Sequence, residues 1–588
     1  MESIARMDFH RSYDGLRKIR DLALQLTDDL PARAHASALA KIKSLFGVAF
    51  RLFLIDARVQ SLSRTTDRTR TYDLVLGGFF AFGALWNATK LPRNAALTPH
   101  LRDLSSSLVK WAAIVHPVRA PPPDDEEKRV VLALTEFYIV ILQSDTQYAK
   151  SFLHANPDMA SQIVELWIRF PHSYRLAAPH SDSDVDIASV VFGIVTAMCR
   201  LYVLLARPGS NPSEDDRALF TNALRAARVT KRALYDVIGP QTHYLARSVP
   251  DHMLMRGVWL HYIDVVSGLV QLPEFQPSKI PRDIIPFVIM AAGVRLEKKD
   301  YMSTAELLAF TDIICGLAHT NRPLIQAIKS GVFVVLYTLD RAPEDLRIDV
   351  SPLVRRLSAG LVHGKVLRAL RHTYAPGKDL KDHSAEEKPT WRSLMRTYEN
   401  FGQIHFNYCT EGLWRRSIPC QNSMGPHNEV VRFCPCGDVL YCSGSCQRMH
   451  WDRSHGYNCH VDNGPWDLKG AISLSDVVLL CCIARRCVES MRSEIGEQIT
   501  TKIQEKEEGS RFARVTIVCN FANVLPSPRI ECHYDITADQ HAQISHETQR
   551  RIFVEGSLLL GRKVVRRRLP LTYALDYFCS LKQLLPYL

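Results

Sequence analysis

Seven of the chain's fifteen cysteines, Cys409, Cys420, Cys434, Cys436, Cys442, Cys446 and Cys459, fall within 51 of its 588 residues. With His455 they make eight soft or borderline donors, enough for two four-coordinate zinc sites. Cys442 and Cys446 are spaced to grip one ion from a turn. His455 and Cys459, four apart, share a face if that segment is a helical turn. Clustered thiols mean metal rather than disulfides when the chain is intracellular, and the sequence points that way. Its first residues, MESIARMDFHRSYDGLRKIRDL, are charged and carry no secretory signal. The longest apolar runs, such as VVLLCCIA at 477–484, read as too short to cross a bilayer. The expectation is a soluble, nuclear or cytoplasmic protein with no membrane partner. Cys199, Cys315 and Cys482 lie in apolar segments and read as small buried residues.

Closed sites of this kind hold a shape. A catalytic zinc keeps an open position and a nearby acid or base. Asp438 and Asp452 form no paired-acid arrangement, and no HExxH, P-loop or glycine-rich dinucleotide fingerprint occurs. Asp182, Asp184 and Asp186 start like a calcium loop, but Ile187 and Gly193 stand where that loop needs glycine and glutamate. These observations point away from an enzyme. Nucleic acid is also a poor ligand for the cluster. Between 409 and 460 five arginines face four acids, and seven thiolates more than cancel two Zn²⁺.

The stretch YCSGSCQRMHWDRSHGYNC (441–459) resembles the second half of a MYND zinc finger: Tyr-Cys-Ser, Cys-Gln, Trp and His-x3-Cys occur in order. The resemblance implies two zincs on interleaved ligand pairs. The first would use Cys409 and Cys420 with Cys442 and Cys446. The second would use Cys434 and Cys436 with His455 and Cys459. The first half departs from the family's Cys-x2-Cys pairs, being Cys409-x10-Cys420 and then CPC. Three readings stand: Cys409 is a ligand, His427 replaces it, or the first site is weak; a buried cysteine ending the preceding helix is the plain reading of Cys409. His450 and His460 read as exposed neighbours of true ligands. The resemblance further implies that the finger docks short proline-containing peptides, with Gln447 and Trp451 on the docking surface. The other reading of Trp451 is an inward anchor of a small finger. Some MYND proteins are SET-domain methyltransferases, but no Asn-His-x-Cys type segment is present here.

The elements around the cluster are mainly α. Residues 1–370 read as a helical domain. In 305–339, Leu307, Phe310, Ile313, Ile314 and Leu317 repeat at helical spacing. HTNRP breaks the pattern, Leu324, Ile325 and Ile328 resume it, and Gly331 ends it. LTEFYIVILQSDTQYAKSFL (134–153) echoes FTDIICGLAHTNRPLIQAIK (310–329) at an offset of 176 residues, four units of 44. That spacing suits an armadillo-like α-solenoid; an irregular helical domain is the alternative. Residues 371–400 read as a polar linker and lead-in helix, and 401–463 as the finger. Residues 464–588 read as a small α+β unit, with a helix over 476–507 capped by Ser475 and ended by Gly509. Half-buried strands follow at 514–521 and 529–536, joined through VLPSP, with a third at 551–560. The run Arg550, Arg551, Arg562, Lys563, Arg566, Arg567 and Arg568 reads as a solvated basic edge. The rival reading makes this stretch a nucleic-acid contact of a transcriptional regulator.

Overall fold

The computed structural model describes residues 2–53, 68–119, 122, 126–171, 187–247, 255–277, 279–343, 348–373, 389–410, 412–418, 420–422, 424–425, 427, 431–434, 439–456, 459, 472–505, 511–521, 527–535 and 551–579. Most of the linker (374–388), VLPSP up to Pro526, the aspartates at 182, 184 and 186, Cys436, Asp438, His460 and Gly509 lie outside that set. The chain folds as two compact units, 1–276 with 297–306, and 277–296 with 307–588. The helical stretch 1–370 is thus shared between the two.

In the first unit, α1 (Glu2–Gln25), α2 (Arg68–Ala88), α3 (Glu127–Leu142), α4 (Thr146–Ala155), α5 (Pro157–Arg169), α6 (Ile187–Leu205) and α7 (Met255–Gln271) carry most of the core. Helices α1, α2, α3, α6 and α7 pack side by side in that order. Their inner stripes recur at helical spacing, so each helix buries one face on each neighbour. Phe79 and Phe82 of α2 meet Phe137 of α3 with ring centroids 5.1 and 5.4 Å apart. Trp111, Trp167, Trp259, Tyr138 and Tyr262 are fully buried. Helix α6 corrects the reading that the apolar runs are too short to span a bilayer. It is long and apolar enough, although two thirds of its most apolar window (67%) is buried in the fold.

In the second unit, α8 (Tyr301–Leu317, whose first turns belong to the other unit), α9 (Arg322–Lys329), α10 (Val332–Asp340), α11 (Ser351–Gly360) and α12 (Gly364–Thr373) precede the finger. The echoing segments are alike: 134–153 runs from α3 through a short break into α4, and 310–329 from α8 into α9. The lead-in helix α13 (Pro389–Ile404) packs on α11 and α12. Its Trp391 edges onto Phe333 and Tyr337 of α10, and the indole donates to Asp340 Oδ2 at 3.0 Å. The helix runs on as a wider π-turn, His405–Thr410, which carries Cys409 into the finger.

The finger holds β1 (Arg432–Phe433) antiparallel to β2 (Leu440–Tyr441), then α14 (Gly444–His450) and a π-turn, Trp451–His455. Beyond it, the expected single helix is two, α15 (Leu474–Ser490) and α16 (Arg492–Gln504), broken at Met491. Its cap is Ser473 rather than Ser475. Ser473 and Asp476 form a reciprocal capping box, which satisfies two otherwise orphaned backbone donors. Asp476 also accepts from the Gly364 amide at 2.8 Å, which ties α15 to α12.

The tail is a four-stranded mixed sheet of β3 (Arg511–Asn520), β4 (Ser527–Asp535), β5 (Arg551–Leu560) and β6 (Lys563–Ala574), in the order β4-β3-β5-β6. The fourth strand was hidden in the sequence because its cations masked a period of two. Val515, Ile517, Cys519 and Phe521 are buried as the alternation predicts, but Thr516 and Val518 are buried too. The reason is that β3 is central, and a link from Arg566 of β6 to Glu531 of β4, 2.6 Å long, passes over its other face.

Candidate metal centre

The donors fall into two groups. Cys420, His427, Cys442 and Cys446 each present one ligand atom, all within 4.8 Å of one another; Cys434, His455 and Cys459 do the same. Within the first, Cys442 Sγ lies 3.4 Å from Cys446 Sγ and 3.7 Å from His427 Nδ1. Within the second, His455 Nε2 lies 3.4 Å from Cys434 Sγ. A tetrahedron with zinc–sulfur arms of about 2.3 Å has edges near ~3.8 Å, so this spacing suits one ion per group. The mixed thiol and imidazole donors suit zinc above harder cations.

Short local devices set each ligand. In the β1–β2 hairpin, β1 leads directly into Cys434 and β2 directly into Cys442, and the Cys434 amide donates to the Val439 carbonyl at 2.9 Å. The Gln421 amide donates to Leu440 O at 2.9 Å and hangs the Cys420 segment on the same hairpin. Ser443 caps α14 by accepting from the Cys446 amide at 3.1 Å, which fixes the first turn that carries Cys446. Between Cys420 and His427 the chain must double back. Gly425 does this at φ +69°, where a side chain is strained, and Asn422 Nδ2 donates to its carbonyl at 3.0 Å.

His427 therefore stands beside Cys420, where the resemblance placed Cys409. The side chain of Cys409 and all of Cys436 are outside the described residues. His450 is not a bystander. Its Nδ1 lies 2.7 Å from the Tyr441 hydroxyl, and its ring stacks on His455 at 5.8 Å and 5°. The Tyr441–His450 pair packs against the His455 ring. Tyr441 and His450 flank ligands in the sequence, but spacing alone gave no reason to link them.

Burial and hydrogen bonds together set the protonation of the donors. Burial pushes the Cys420 thiol up to about 11, against the backbone hydrogen bonds of Cys442 and Asn422 and with the Cys442 thiol adding to the rise. Burial would also raise Cys446, but hydrogen bonds from Ser443, Asn422, Cys442 and Cys420 outweigh it and hold that thiol below its usual range. Burial lowers His455, which keeps the imidazole neutral, the form a zinc ligand needs.

Residues 419–459 match the family model of the MYND finger. No curated protein and no solved structure matches the chain. The matched stretch contains every donor of the two groups and begins after Cys409. MYND fingers are protein–protein interaction modules. Cys446 is buried, Gln447 is half-buried, and Trp451 is 39% exposed with its ring edge-on to His455 at 5.6 Å and 81°. Trp451 is thus both an anchor and a surface.

Proposed function

We propose that this chain is an intracellular scaffold or adaptor whose MYND finger, folded on two zinc ions, docks proline-containing segments of partner proteins. The observation that carries the reading is the division of labour along α14 and its π-turn. Cys446 and His455 face the metal groups, while Gln447 and Trp451, one turn apart, offer a polar handle and a rigid ring to the outside. An extended proline-rich segment loses little entropy on binding, and such an aromatic face suits it. Cys420, His427, Cys442 and Cys446 would hold the first ion. Cys434, His455 and Cys459, with Cys436, would hold the second. The first group has four protein donors and leaves no position for substrate, which supports a structural and non-enzymatic role. No disulfide forms among the described residues, which suits a reducing compartment.

The test is a Trp451→Ala, Gln447→Ala pair in the full chain, with zinc measured on the same samples. Zinc content should hold while affinity for proline-containing peptides drops by about thirtyfold, the size of an aromatic hot spot. A variant that keeps its zinc and its peptide affinity would refute the docking surface.

A further inference from the structure

The C-terminal sheet ends in a cationic strand that takes no part in the finger. Strand β6 is at the sheet's edge and pairs only with β5 among the described residues. The hairpin closes at Leu560 and Lys563 around Gly561 and Arg562, with Gly561 at φ +60°. In a two-residue hairpin the closing pair exchanges its hydrogen bonds, and the direction then alternates. The main-chain groups of Lys563, Val565 and Arg567 therefore turn toward β5. Those of Val564, Arg566 and Arg568 turn outward. The Arg566 carbonyl takes a bond of 2.9 Å from the Arg567 guanidinium, as an outward group would. Register is unbroken from Lys563 to Arg568, and Pro570 closes the usable edge because it has no donor.

The side chains select what can pair there. Arg562, Lys563, Arg566, Arg567 and Arg568 crowd seven positions, and Val564 between them is 61% exposed. Arg566 is held by Glu555 and Glu531. Because a strand alternates, Lys563 and Arg567 flank one side of the edge, and Arg566 and Arg568 the other. A second copy of β6 would set like charges against like, which is how natural edges resist self-pairing. A nucleic acid has phosphates to offer but no N–H and C=O ladder to match the outward groups. We propose that the edge of β6 from Val564 to Arg568 accepts an extended acidic segment of a partner protein as a fifth strand, with main-chain bonds in the middle and cations on both sides.

The test uses the full-length protein and a labelled eight-residue peptide alternating glutamate and valine, followed by fluorescence anisotropy. Two changes attack the ladder without touching charge. One is the same peptide N-methylated at alternate residues. The other is Val564→Pro, which removes one outward donor and leaves the β5 ladder intact. Each should weaken binding by roughly tenfold or more, since one or two backbone bonds are lost. Lys563→Glu with Arg567→Glu should weaken it further and make the residual affinity insensitive to salt. Four results would each overturn the proposal: no binding of the parent peptide; equal binding of its N-methylated form, which would mean charge alone; binding unchanged by Val564→Pro in a folded variant; or an oligonucleotide that displaces the peptide and itself binds more tightly.

Discussion

The front helices and the finger solve the same problem by opposite means. In the first unit Trp111, Trp167 and Trp259 are fully buried, and neighbouring helices share one continuous apolar layer. In and just before the finger, Phe406, Leu413, Met424 and Trp451 remain 46, 41, 68 and 39% exposed. A segment of about fifty residues has too little interior to bury them all. The front is held by removing apolar surface from water. The finger instead gathers two groups of soft donors, Cys420, His427, Cys442 and Cys446, and Cys434, His455 and Cys459, that would be held together by a metal. Its apolar residues are thereby left at the surface.

This contrast can be broken from either side. The largest effect should come from chelation. Stripping zinc removes a binding free energy on the order of 10 kcal/mol. Hydrogen exchange should then rise across 420–459 and stay low in α3. Elemental analysis of the untreated chain should give two zincs. His427→Ala should lose one, and Cys409→Ser should lose none; the reverse pattern would restore Cys409 as the ligand. Next in size is Trp167→Ala, a cavity in the front core, which should cost about 4 kcal/mol of that unit's stability with zinc content unchanged.

A third effect separates the two regions by pH. His116 is fully buried, with Nε2 3.0 Å from the Gln162 carbonyl and Nδ1 3.6 Å from Glu165. Burial, aided by the charge of Arg119 and opposed by the Gln162 carbonyl, lowers its pKa to about 4. A depressed histidine stabilises the fold fully above its ordinary value of 6.5, and that stability is lost as pH falls from there toward 4. The loss should be about 3 kcal/mol, read by exchange in α3 and flattened in His116→Asn. The smallest effect is local: Ser473→Ala should lower the melting of α15 by about 1 kcal/mol, through the cap alone.

The helical class, the finger and three of the four strands could be read from periodicity and ligand spacing, because both are local codes. The pairing of His427 with Cys420 was only one of three open readings, since a six-residue loop closed by Gly425 looks like no standard spacing. Strand β6 was missed for a different reason. Val564, Arg566 and Arg568 face a sheet surface where Arg566 finds Glu555 and Glu531, so charge sits where alternation predicts a polar face, but a run of three arginines conceals the alternation. The role of His450 depends on a hydroxyl nine residues away and a ring stack, neither of which has a sequence signature.

The order of donors along the chain has a consequence for how the finger assembles. Cys420 and His427 belong to one group, Cys434 to the other, Cys442 and Cys446 to the first, His455 and Cys459 to the second. Each group's loop therefore encloses part of the other's. Whichever ion arrives first shortens the loop that the second must close and lowers its entropic cost. The finger should load its metals cooperatively, so that a half-filled form is scarce and the finger is either folded or not.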